Sequence, residues 1–122
     1  MIRISLVAAV VTAALAVAGL ASAKPSVTAL TGTVGPGFTI TLKKGTKKVV
    51  FLTPGTYSIK VTDKSAIHNW VLKGPGFPAR GKEITGIGFQ GTKTALVVLK
   101  KGLFTYVCTP HAAIMKATFK VQ

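Results

Sequence analysis

After Lys24 the chain alternates apolar and polar residues with a period of two, and no segment there sustains a helical period. Thr56-Tyr-Ser-Ile-Lys-Val61 alternates most cleanly: Tyr57, Ile59 and Val61 fall on one face, which should point into a core. Ser26 to Thr33 and Phe38 to Leu42 are β-branched, alternating runs separated by the turn chemistry of Gly35-Pro-Gly37. Val49 to Leu52 forms another run, closed by Pro54-Gly55. A polar turn at Asp63-Lys-Ser65 then leads to an apolar strand, Ala66 to Leu72. From Gly74 to Gly91, 18 residues hold six glycines and no strong strand, which predicts a long loop. Strands return at Leu96 to Leu99, Leu103 to Cys108 and Lys116 to Val121. Gly-Pro-Gly-Phe occurs twice, at 35–38 and 74–77, but the flanking sequences do not match, so this is repeated turn chemistry and not an internal repeat. Seven to eight short strands with Gly/Pro turns predict an all-β fold, an antiparallel Greek-key β-sandwich.

Ahead of the strands, Met1-Ile-Arg3 is positive, Ile4 to Leu20 is nearly all apolar, and Ala21-Ser-Ala23 supplies small residues. This is the pattern of a cleavable signal peptide over 1–23, leaving one domain at 24–122 and placing it outside the cytosol, periplasmic or extracellular. The alternative is an uncleaved anchor, for which the run falls a little short of the ~20 residues of a span. In an exported protein a single cysteine has no internal disulfide partner. Cys108 is then an intermolecular cross-link, an inert buried thiol or a metal ligand.

Charge adds a second expectation. Lys and Arg number 16 against 2 Asp and Glu, a formal net charge of +14, or +13 once Arg3 leaves with the leader. Paired lysines at strand ends (Lys43-Lys44, Lys47-Lys48, Lys100-Lys101) are commonly solvated edge protection. The summed field nonetheless favours acidic redox partner proteins, or peripheral contact with an anionic membrane or cell-wall surface. Without a basic helix or a binding motif, nucleic acid is not an expected partner. A monomer is expected.

The chemistry gathers in Cys108-Thr-Pro-His111-Ala-Ala-Ile-Met115, where a thiolate, an imidazole and a thioether lie within eight positions. These are donors that suit copper in a trigonal site with a weak axial sulfur. The second imidazole has to be His68, the chain's other histidine. Alternation places Phe104, Tyr106 and Cys108 on one face, so that the thiol points inward at an end of the sandwich. Asn69 points to the opposite side of its strand from His68, where it is either an exposed edge residue or a hydrogen-bonding support for the Cys108 loop.

Ile67-His68-Asn69 and Gly102-x-Phe104-x-Tyr106-x-Cys108-Thr-Pro-His111-x3-Met115 resemble the small blue-copper proteins, the cupredoxins of the plastocyanin, amicyanin and pseudoazurin kind. The resemblance implies one type 1 copper held by His68 Nδ1, Cys108 sulfur and His111 Nδ1, with Met115 sulfur as a long axial contact. It also implies one-electron shuttling between larger redox proteins. The gap from His111 to Met115 is one residue shorter than in plastocyanins and one longer than in amicyanins. An enzyme is not expected, because a second copper centre needs histidines and both are already assigned. Copper delivery or storage, and a metal-free basic wall-binding sandwich, are the competing functions.

Overall fold

The computed structural model describes residues 13–15, 19 and 26–122, so the leader expected over 1–23 lies almost wholly outside the described residues. Ten strands run β1 Thr28–Val34, β2 Ile40–Lys44, β3 Lys47–Lys48, β4 Phe51–Leu52, β5 Gly55–Asp63, β6 Trp70–Lys73, β7 Lys82–Thr85, β8 Gly91–Leu99, β9 Gly102–Val107 and β10 Lys116–Val121. They form two five-stranded sheets, in the orders β3-β2-β1-β5-β8 and β4-β10-β9-β6-β7. The expected all-β sandwich is therefore present. Its pairing is not purely antiparallel: β1 runs parallel to β5, and β10 parallel to β4. Parallel neighbours need a crossover between distant segments, which local alternation does not reveal.

Inward side chains of both sheets build the core. In β5, Tyr57, Ile59 and Val61 are buried while Lys60 between them is exposed. They face an aromatic layer from the second sheet, in which Trp70 stacks on Tyr106 at 5.5 Å and Phe104 on Phe119 at 5.4 Å. Trp70 also ties the sheets together, its Nε1 donating to the Thr41 carbonyl at 3.3 Å. Room for that indole comes from Gly32, where a Cβ would lie 3.2 Å from Trp70 Cε2 and 3.0 Å from Val61 Cγ2.

Three expectations change. The 74–91 stretch is not one loop: Lys82–Thr85 pairs with β6 as an edge strand. Its residues run exposed, exposed, buried, buried, past an irregularity at Trp70/Val71, so no period-two signal exists to read. β8 begins at Gly91 instead of Leu96, because its first half, Thr92 to Thr94, is polar and exposed at a sheet edge. β6 begins at Trp70; Ala66 to Asn69 form a turn, closed by His68 N–H donating to the Ser65 carbonyl at 3.2 Å.

Strand directions give the molecule two poles. β1, β5 and β9 run toward the end where Gly35, His68 and Cys108 meet, and β8 and β10 run away from it. At the opposite end short links, Thr53-Pro54 and Lys100-Lys101, join one sheet to the other.

Candidate metal centre

Three loops meet at the first pole, and each is fixed by its own backbone. Cys108 follows the buried Phe104 and Tyr106 of β9 and is itself fully buried. Its N–H donates to the Met115 carbonyl at 3.0 Å, and its carbonyl accepts from His111 N–H at 3.1 Å. Met115 N–H donates to the His111 carbonyl at 2.9 Å, so Cys108, His111 and Met115 share one closed hydrogen-bonded loop around a 3-10 turn at Thr109–His111. Met115 is buried beneath that loop.

His68 enters from the Ser65–Asn69 turn, which Asp63 anchors by accepting from Ser65 N–H at 3.1 Å. Its ring is fully buried. Nε2 lies 3.0 Å from the Gly37 carbonyl, which can only accept, so the ring proton sits on Nε2 and Nδ1 carries a bare lone pair. Gly35 lets the preceding loop close on this ring: a Cβ there would be 3.1 Å from His68 Cδ2, and its φ of 72° suits glycine.

His68 Nδ1 and His111 Nδ1 are 3.1 Å apart, and Cys108 Sγ lies 3.7 Å from the first and 3.5 Å from the second. A triangle with those sides has its centre about 2 Å from each corner, the length of a metal–imidazole bond. The donor set is two imidazole nitrogens and one thiol that a metal would deprotonate. With the soft sulfur of Met115 on the same loop, these residues fit a type 1 copper ion.

Asn69 is buried, so the exposed-edge alternative does not apply. Its Oδ1 accepts from Thr109 N–H at 2.8 Å, while Nδ2 donates to Thr109 Oγ1 at 2.9 Å and to Glu83 Oε2 at 3.1 Å. The amide thereby joins the His68 turn to the residue after Cys108. Glu83 was not among the residues singled out in the sequence, although it is one of only two acids in the chain, and that rarity was the available signal. Gly37 and Phe38 were missed likewise. The Phe38 ring meets His111 edge-on at 5.0 Å and His68 at 5.6 Å, covering the centre.

Such a centre, set in one end of a Greek-key sandwich, defines a single-copper cupredoxin. The chain belongs to the family described as copper binding proteins, plastocyanin/azurin family, which matches residues 36–122. No curated protein matches the sequence. Solved structures of similar fold include the copper protein rusticyanin, at 19% identity and TM-score 0.58, covering 79% of this chain and 78% of that one. Reduced rusticyanin is similar at 22% identity and TM-score 0.54, covering 82% of each chain. Rusticyanin from Thiobacillus ferrooxidans is similar at 20% and 0.54, covering 79% and 77%.

Proposed function

We propose that the protein is an exported carrier of single electrons, in which His68, Cys108 and His111 would hold one copper ion and Met115, on the same loop, would supply a further, weaker sulfur donor. The observation that carries this is the triangle of two Nδ1 atoms and one sulfur, whose centre is about 2 Å from each. When bound, copper supplies the Cu(II)/Cu(I) couple. Everything else is the task of the chain. Backbone bonds across the Cys108–Met115 loop and the Asn69 bridge keep the donors in place, so little has to move when the charge changes. Phe38 and the burial of His68 and Cys108 exclude water.

His111 is only half-buried and is the donor nearest the surface. Exposed Phe38, Ile67, Ile87 and Ile114 surround this pole; Gly88 N–H, which donates to the Ala66 carbonyl at 2.7 Å, brings the Ile87 turn beside the His68 turn. We read this apolar rim as the docking surface for redox partner proteins, with lysines farther out steering acidic ones. Both histidines of the chain serve this centre, which leaves none for a second copper and supports a carrier over an enzyme. Residues 1–23 act in this account as the export leader.

The test is a visible spectrum with voltammetry on the copper-loaded protein. A strong thiolate-to-Cu(II) band that bleaches and returns over repeated cycles is expected. Copper bound without that band, and surrendered on reduction, would instead mark a delivery protein.

A further inference from the structure

The exposed large apolar side chains of the sandwich divide between its two poles. Those at the copper end are accounted for above. The others, Val27, Val50, Phe51, Leu96, Val98 and Leu103, lie at the opposite end, each 48% to 64% exposed. Register places four of them there. Val98 pairs with Thr56 and Leu96 with Ser58 near the start of β5, while Leu103, Lys120 and Phe51 share one row near the end of β10. These four apolar side chains therefore fall within about 10 Å of that end along their strands.

Lysines adjoin this girdle. Lys100 and Lys101 form the link between β8 and β9, and Lys120 stands between Leu103 and Phe51. No acidic side chain offsets them there: Asp63 ends β5 at the copper pole and Glu83 is bonded to Asn69. Edge protection does not explain the pattern. It would put charge on the outward positions of the edge strands β8 and β4, where Leu96, Val98 and Phe51 stand, whereas Lys120 is on the interior strand β10.

We propose that the pole opposite the copper end docks on an anionic lipid bilayer, the apolar girdle entering between headgroups and Lys100, Lys101 and Lys120 meeting their phosphates. Charge complementarity selects this occupant. A second copy of so basic a chain repels the first. A soluble polyanion would satisfy the lysines and leave the apolar girdle in water, whereas a membrane interface accepts both. Docked in this way, the protein presents His111 and its rim away from the membrane. The inference does not rest on the copper reading, since the distal pole shares no residue with the centre.

The test is cosedimentation of the chain from Lys24 onward, which contains all ten strands, with phosphatidylcholine vesicles with and without phosphatidylglycerol. Binding is expected only with phosphatidylglycerol, and equally with and without copper. Lys100→Gln with Lys101→Gln should lower the partition coefficient at least about tenfold. The charge-matched pair Lys64→Gln with Lys93→Gln, near the copper pole, should have a much smaller effect. Phe51→Ser with Leu103→Ser should weaken vesicle binding severalfold and leave polyphosphate binding unchanged, circular dichroism confirming the fold. Absence of phosphatidylglycerol-dependent binding, equal losses in the two lysine pairs, or vesicle binding indifferent to Phe51 and Leu103 would overturn the proposal.

Discussion

The two ends of the sandwich are built on opposite rules. At the copper pole polar groups are buried and joined to one another: Asn69 uses both ends of its amide, His68 Nε2 is bonded to the Gly37 carbonyl, and the 108–115 loop closes on its own backbone. At the distal pole the charged side chains are exposed lysines without Asp or Glu beside them, set among exposed apolar side chains. Both acids of the chain lie toward the copper side, Asp63 anchoring the His68 turn and Glu83 holding Asn69. Substitutions at the copper pole should therefore be costly and change the metal, whereas those at the distal pole should leave the fold alone and change only what the protein binds.

The largest break in that contrast should come from Cys108→Ser. A serine hydroxyl stays protonated and is a poor ligand, so the visible charge-transfer band should vanish, together with most of the rise in melting temperature that copper confers. Absorption spectra and melting curves with and without copper check this; a variant that kept its colour would remove the thiolate from the account.

Asn69→Ala should come next. It removes the acceptor of Thr109 N–H and the donor to the exposed Thr109 hydroxyl and should cost about 1–2 kcal/mol in denaturant unfolding of the metal-free protein. Exchange of the Thr109 amide proton should quicken in step. Unchanged stability and exchange would mean that the bridge does not hold the loops.

Met115→Leu sharpens the distinction between holding a metal and tuning it. The swap keeps volume and apolar character, so it should cost less than about 1.5 kcal/mol. It removes a donor that favours Cu(II) over Cu(I), so the potential measured by voltammetry should rise. Met115→Gln supplies an oxygen donor and should lower it.

The smallest effect concerns Tyr106, buried on the inward face of β9, two residues before Cys108. Burial raises its phenol pKa above the ordinary value, and a backbone hydrogen bond with Leu42 works the other way. A pKa raised in the folded state contributes stability that is complete below the unfolded value of about 10 and fades as pH climbs through the folded one. Tyr106→Phe should flatten the alkaline decline in melting temperature above about pH 10, on top of a small pH-independent loss from the missing hydrogen bond with Leu42. An alkaline decline unchanged by the substitution would assign it to the lysines.

How much of this was legible in the sequence also differs between regions. β10 could be read to its limits, and β5 and β9 nearly so, because one face of each is buried and the other wet. β7 and the first half of β8 could not: β7 runs exposed, exposed, buried, buried, and Thr92 to Thr94 are exposed throughout, so neither alternates. The donors were legible because Cys108, His111 and Met115 are close in sequence and His68 is the sole remaining histidine. Glu83 and the Gly37 carbonyl were not, for a backbone acceptor has no sequence signature, and the pairing of Glu83 with Asn69 spans 14 residues and exists only in the folded sheet. The distal girdle was hidden for the same reason: Phe51 and Leu96 look like core residues until the register turns them outward.

The central claim is that two imidazole nitrogens and one thiolate converge on a single copper ion. X-ray absorption at the copper edge of the loaded protein tests it directly. The account predicts one short copper–sulfur distance and two nitrogen distances of about 2 Å, with Cys108→Ser losing the sulfur. A shell of nitrogen and oxygen donors alone, with no short sulfur in the unsubstituted protein, would contradict it.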